Sequence, residues 1–341
     1  MSSPRRPGRR TNLALLVLLA ASFATGWLAF GVGASPALAV VTTLHGVIGL
    51  GLVVLVPWKS VVARRGLRRN RPHLGALTLA SLIVASLVAG VAHATLGPLD
   101  VAGISALDVH VGAAFLVVPA VALHVAQRPQ RLRRTDLSRR TALQSLGLAG
   151  GATIAYAAVE TVSSVARLPG SGRRGTGSYE AGSGQPSRMP VTQWFTDDVP
   201  DLDPASYALT VHLPERHPRR VTYSELVAAA DTDVRAVLDC TGGWWAEQEW
   251  RGVRLDRLLG EVEGESIVVR SVTGYTRRLP AADAPRLVLA TYVAGAPLSA
   301  GHGAPVRLVA PGRRGFWWVK WVAQVSLDDE PWWLQPPFPL Q

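Results

Sequence analysis

Cysteine is almost missing from this 341-residue chain: Cys240 is the only one. That excludes an internal disulfide framework and a cysteine-rich zinc site. Acidic residues are almost missing from the first 140 positions, where 3 Asp and Glu face 16 Lys and Arg, a net +13. Positions 141–341 hold 19 Lys and Arg and 21 Asp and Glu, a net −2. The formal charge of +11 therefore sits wholly in the first part. A pI near 10.8 would by itself suggest a nucleic-acid binder. The basic stretch is otherwise extremely apolar, which excludes that partner, a simple soluble enzyme and a disordered basic tail. No internal repeat is visible.

What the first part has instead is long apolar runs. Five approach or exceed the ~20 residues that span a bilayer: 11–33, 35–58, 72–99, roughly 101–127 with Asp108 near its start, and 141–159. Arg5, Arg6, Arg9 and Arg10 precede the first run. Lys59, Arg64, Arg65, Arg68, Arg69 and Arg71 separate the second from the third. Arg128, Arg131, Arg133, Arg134, Arg139 and Arg140 precede the fifth. The other two connections carry no Lys or Arg. The positive-inside rule then predicts a multi-pass cell-membrane protein in contact with lipid, its N-terminus cytoplasmic and everything after about residue 170 extracytoplasmic. The segment from Ser138 to Leu143, with Arg139 and Arg140 paired before a mild apolar stretch, resembles a twin-arginine export signal, here internal. Such a signal implies export of a domain already folded around its cofactor. Paired arginines before a helix also serve as an ordinary basic stop, and both readings stay open.

Five of the eight histidines fall in the membrane half: His45, His73, His93, His110 and His124. Ionisable groups at membrane depth are costly and mark candidate functional sites. The topology puts His45, His93 and His110 near the outer face and His73 and His124 near the inner one. His110 and His124 share a run and lie about 21 Å apart along a helix, on nearly one face. The first four runs resemble b-type cytochromes in outline, which implies one or two b-type haems with imidazole axial ligands. The outer haem would take His110 with His45 or His93, the inner one His124 with His73. Interfacial or hydrogen-bonded histidines are the alternative.

The expected organisation is a four-helix, haem-binding region over 1–130, a twin-arginine-like segment and fifth helix over 131–167, a flexible Gly, Ser, Arg and Pro linker over 168–190, and one mixed α+β domain over 191–341. Short β-like runs are expected at 207–213, 235–238, 266–272, 286–292, 306–309 and 318–327, and short helices near 223–230 and 255–259. Cys240 ends the apolar run from Ala236 and precedes Gly242 and Gly243. A thiol there suits a nucleophile with a base among His212, His217 and His302, a soft-metal ligand, or an inert buried side chain.

The stretch LDCTGGWWAEQEWRGVRLDRLL resembles the cysteine segment of sulfite-oxidase-type molybdopterin enzymes, and PLSAGHGAPVRLVAPGRRGFWWVKWV resembles their second signature. The resemblance covers roughly 200–330. It implies a molybdenum centre held by the pterin dithiolene and the Cys240 thiolate, with Thr241 and Gly242 beside it. It implies that His302, Arg307 and Lys320, with amides at Gly312 and Gly315, bind the pterin phosphate. Tyr275 would correspond to an active-site tyrosine. The region from Gln193 to Asp198 departs from the family pattern, where an Asn or Arg and a His are usual. Arg277 and Arg278 are candidates for attracting an anionic substrate or for a solvated pair. Trp244, Trp245, Trp317, Trp318, Trp332 and Trp333 read as core or interface aromatics, with Trp318 and Trp321 as possible cofactor shields. A family-style homodimer is not expected.

The function so implied is a membrane-anchored molybdopterin oxidoreductase with Mo-molybdopterin and b-type haem. It would act on a small-molecule or protein-bound oxide and exchange electrons with the quinone pool or another membrane carrier. Reduction of S-oxides is the leading direction and sulfite oxidation the alternative. A non-enzymatic electron-transfer protein with a degenerate outer domain is the reading from another class. A transporter with a sensing domain would want charged or broken helices near the bilayer midplane, and only Asp108, near an outer edge, is of that kind.

Overall fold

The computed structural model describes residues 8–31, 36–67, 74–127, 136, 138–194, 197–214, 216–260 and 264–336. His73 and most of the basic connecting residues lie outside these. The chain divides into two compact units, essentially at Tyr179 and Glu180.

The first unit is helical: α1 (Gly8–Gly31), α2 (Pro36–Val54), α3 (Val56–Leu67), α4 (Leu74–Leu96), α5 (Ala106–Gln127) and α6 (Arg139–Val165). Five segments are long and apolar enough to cross a membrane, the second running from α2 into α3 over Ala37–Val61. The step between α2 and α3 falls at Leu55, two residues before Pro57, whose ring nitrogen cannot donate to the helix ladder. Ser138 caps α6 through its side chain, so Arg139 and Arg140 form that helix's first turn. The fourth apolar run departs from expectation. Its first residues form a hairpin, β1 (Asp100–Val101) with β2 (Ile104–Ser105), and the helix starts only at Ala106. Asp108 accepts from the Ser105 backbone and hydroxyl at 2.9 and 2.7 Å. It acts at the helix start, where a carboxylate suits the exposed N–H groups.

The second unit holds β3 (Tyr179–Glu180), β4 (Ala208–His212), β5 (Arg219–Thr222), α7 (Tyr223–Ala228), β6 (Thr232–Asp239), β7 (Trp244–Arg254), α8 (Leu255–Leu259), β8 (Ser266–Ser271), β9 (Thr276–Pro280), β10 (Val288–Val293), β11 (Ala296–Pro297), β12 (Arg307–Val309) and β13 (Val322–Asp328). One sheet runs β11-β10-β7-β3, with β12 also on β10 and β6 also on β7. The other runs β5-β4-β13-β8-β9 and contains one parallel pair, β13 on β4. This is the expected mixed α+β class.

The longest of these strands, β7, is absent from the sequence-based expectation, although Trp244, Ala246, Gln248 and Trp250 alternate inward in the period of a half-buried strand. The expected flexible linker also differs. Residues 169–172 and 186–188 form 3-10 turns. Ala181 and Gly184 donate to the Trp245 and Glu247 carbonyls on the edge of β7, and Met189 is buried. Backbone pairing of so short a segment leaves no side-chain periodicity to read, so composition alone misses it.

Candidate active site

Strands β6 and β7 are paired in register from Thr232↔Gly252 to Asp239↔Trp245, and Cys240 is the first residue of the turn between them. Its N–H donates to the Trp244 carbonyl at 2.8 Å, and its carbonyl accepts from Gly243 at 3.2 Å. Gly243 has φ +85°, a left-handed conformation that glycine adopts without strain. The Gly242 amide points at the Cys240 Sγ, 3.3 Å away. The thiol is therefore held by a turn that fixes its backbone on both sides.

A second segment closes over it. Arg314 and Asp239 form an ion pair of 2.5 Å whose side chains are 4% and 1% exposed, and Arg314 Nη2 also donates to the Cys240 carbonyl. The approach is so close that a Cβ on Gly315 would lie 3.0 Å from the Cys240 Cα and 3.3 Å from the Asp239 carbonyl oxygen. Only a residue without a side chain passes there.

Two cavities meet at Cys240, sharing Thr192, Gly315, Trp318 and Lys320. The larger, about 520 Å³ including its open mouth, also has Gln193, Trp194, Asp197, Thr241, Ser271, Tyr275, Phe316 and Trp321 on its walls. The smaller, about 340 Å³, is walled by His302, Arg307, Gly301 and Trp244 among others. Arg307 is 3% exposed, donates to the His302 carbonyl at 3.0 Å, and lies over the Trp250 and Trp318 rings. Its Nε has no partner among the described residues. Lys320 Nζ donates to the Thr192 and Gly301 carbonyls at 3.1 and 3.0 Å and lies 4.3 Å from the centre of the Trp321 ring. His302 is buried, with Nδ1 on Ser299 and Nε2 on the Met189 carbonyl.

Burial governs the titration of these groups. It pushes the Cys240 thiol up, against the Gly242 amide and the Arg314 charge. It pushes Arg307 down to about 10. Burial, then the Arg307 charge, pushes Lys320 down to about 7 and His302 below the usual imidazole range. Burial also raises Tyr275, whose hydroxyl donates to the Phe316 carbonyl.

The fold thus brings Cys240, Thr241, Gly242, Tyr275, His302, Arg307, Gly315 and Lys320 to one place. Gly312 sits on an exposed turn with φ +79° and is not on either cavity wall. Trp318 and Trp321 are both on the wall. Trp321 is held at φ +52°, a conformation that costs a bulky residue about 1–3 kcal/mol and is typical of functional sites. Arg277 and Arg278 are neither a solvated pair nor an anion trap. Arg277 is 1% exposed beneath Phe316 and Trp317, and Arg278 is paired with Asp328 and Glu330. The inward half of the β9 alternation explains Arg277. Sequence reasoning missed Thr192, Asp197, Ser271 and Arg314. Thr192 hydrogen-bonds Cys240, accepts from Trp244 Nε1 at 3.0 Å, and receives Lys320. Of these, Arg314 lies inside the quoted second signature and Asp197 inside the segment 193–198 matched to the family pattern; Thr192 and Ser271 carried no signal.

These residues fit a molybdopterin. The donor set is one thiol suited to a soft metal, next to a pocket walled by a buried, incompletely bonded Arg307 and by Lys320, cations suited to an anionic group. The family model and the curated relatives agree. Residues 196–333 match the model of the oxidoreductase molybdopterin-binding domain. Mitochondrial sulfite oxidase of Rattus norvegicus is 30% identical over 168 residues, 39% of this chain and 31% of that protein. The Mus musculus protein is 29% identical over the same shares. Among solved structures, the sulfane dehydrogenase SoxCD from Paracoccus pantotrophus is 25% identical, covers 39% of this chain and 40% of that one, and gives a TM-score of 0.37. The chain spans about a third of the length of the curated relatives it matches. Its second unit thus contains an oxidoreductase molybdopterin-binding domain, similar to part of sulfite oxidase.

Proposed function

We propose that the protein is a membrane-anchored molybdopterin oxidoreductase that removes oxygen from S-oxide-type substrates outside the cytoplasm. The observation that carries this reading is the Cys240 Sγ at the junction of two cavities, one of them walled by His302, Arg307 and Lys320. When bound, the molybdenum centre supplies two-electron oxygen-atom exchange. Cys240 would ligate the metal as thiolate, and Arg307 and Lys320 would hold the pterin phosphate. Trp318 and Trp321 would exclude water. The balance is one oxide, two electrons and two protons giving one sulfide and one water.

The electrons would come from the quinone pool, or another membrane carrier, through a b-type haem in the helical unit. His45 on α2 and His110 on α5 support this, with ring centres 5.8 Å apart. Their Nδ1 atoms lie 3.0 and 2.8 Å from the Ser22 and Ser86 carbonyls, the contact that orients metal-binding imidazoles and leaves Nε2 for the metal. His93 is less suited, because its Nε2 lies 3.1 Å from the Gly177 carbonyl.

Metal and pterin analysis of the purified protein tests the assignment. Molybdenum should be stoichiometric in the wild type, and Cys240→Ser should lose about 10–100-fold of S-oxide reduction, the scale of a disturbed metal site. Full activity in that variant, or a wild type without molybdenum, would overturn it. A b-type α-band in the dithionite-reduced protein, absent from His110→Ala, is expected for the haem.

A further inference from the structure

The larger cavity beside Cys240 has a charge balance that its sulfite-oxidase relatives' name does not suggest. Among the described residues, two charged side chains are on its wall, Asp197 and Lys320. Lys320 is turned into the protein, its ammonium bonded to two carbonyls and stacked on Trp321. Among the described residues, no arginine is on this wall. Arg307 is on the wall of the smaller cavity only, and Arg277 is sealed beneath Phe316 and Trp317. Arg278, Arg313 and Arg314 are ion-paired with Asp328 and Glu330, Asp283, and Asp239.

Asp197 stands against this background. It is next to Thr273, whose hydroxyl bonds its carboxyl, and within electrostatic reach of Lys320 and Tyr275. Burial raises its pKa, against the Thr273 hydrogen bond and the Lys320 charge, which lower it. What remains on the wall is neutral. Gln193, Thr241 and Ser271 offer hydrogen bonds, and Trp194, Phe316 and Trp321 offer ring faces. Recognition of an oxyanion wants converging cationic donors, best of all a forked guanidinium. A dipolar S=O group between organic substituents wants a few neutral donors and apolar walls.

We propose that Asp197 is a specificity-determining residue that makes this cavity accept uncharged oxides and reject oxyanions such as sulfite. The inference rests on the reading of Cys240 as the molybdenum ligand for what the cavity does, but its binding consequence can be measured without turnover. The full-length protein in detergent is titrated with dimethyl sulfone and with methanesulfonate, a near-isosteric pair differing by one negative charge. Ligand-observed NMR reads the binding, and the molybdenum content of each sample is determined in parallel.

The wild type should prefer the sulfone, and Asp197→Asn should narrow that preference about tenfold, the scale of one like-charge repulsion near a protein surface. Asp197→Glu should restore it. Because the result is a ratio within one sample, a partly unfolded variant lowers both affinities and leaves the ratio interpretable. Equal binding of the two ligands by the wild type, or an unchanged ratio in Asp197→Asn, would overturn the inference. Absence of molybdenum would instead overturn the reading it rests on, and the two failures are separate measurements.

Discussion

Cys240 is nine-tenths buried, and its thiol is pushed toward the protonated form by that burial. A metal that takes the proton's place recovers the desolvation cost, since a buried thiolate is tolerable only beside a cation. The same bookkeeping applies to Asp239, fully buried against Arg314. Removing one partner of such a pair leaves the other charge stranded. Asp239→Asn is expected to destabilise the domain by about 3–5 kcal/mol, measured by urea denaturation. Replacing Asp239 and Arg314 together with apolar residues should cost less than the single change. Much at this scale was legible in the sequence, because Cys240, His302, Arg307, Gly315 and Lys320 lie inside two motifs that are contiguous in the chain. Thr192 was not, and Asp197 only as one position of the segment 193–198. They reach the cavity from a segment without regular structure, where no periodicity marks an inward side chain. Arg277 was read as a surface charge because type alone makes a buried arginine improbable, and the Phe316 and Trp317 rings that cover it lie some 40 residues away in sequence.

Among the elements, the β6–β7 hairpin does most to build the site, since it presents Cys240 while the segment around Gly315 closes over it. Gly315→Val should therefore hurt twice. A Cβ 3.0 Å from the Cys240 Cα forces the two segments apart, at about 1–3 kcal/mol for an overpacked contact. It should also lower pterin retention, read as molybdenum per chain in the purified variant. Element existence followed the sequence better than element bounds. The expected strand at 235–238 proves to be Thr232–Asp239, and that at 318–327 starts only at Val322, behind the 3-10 turn Gly315–Trp317. β7 escaped because its inward positions include Gln248 and Gly252, so the strand reads as a polar segment with tryptophans. In the helical unit, the pairing of His45 with His110 depends on which helices adjoin, and the run lengths did not contain that.

For the molecule as a whole, the charge asymmetry between positions 1–140 and 141–341 is the strongest directional signal. The proposed orientation predicts that a reporter active only in the cytoplasm works when fused before α1 and fails when fused after Gln341, with a periplasmic-type reporter giving the reverse pattern. The five candidate spans expose large apolar side chains such as Val17, Val88 and Leu123 to their surroundings. Extraction should accordingly require detergent rather than high salt or carbonate, as judged by fractionation.

One pairing in the second unit has a temporal meaning. β4 lies beside β13 in parallel register, Thr210 against Gln324 and His212 against Ser326. More than a hundred residues separate the partners, and β13 also joins β4 to β8 in the middle of its sheet. Contacts of such long sequence separation form late and slowly. The β4 and β8 edges therefore cannot be joined until β13 has been made. Chains stopped before Val322 should be digested by protease at concentrations that spare the full-length domain. Closure of this sheet is in that sense a decision taken by β13, after the strands that flank it have been made.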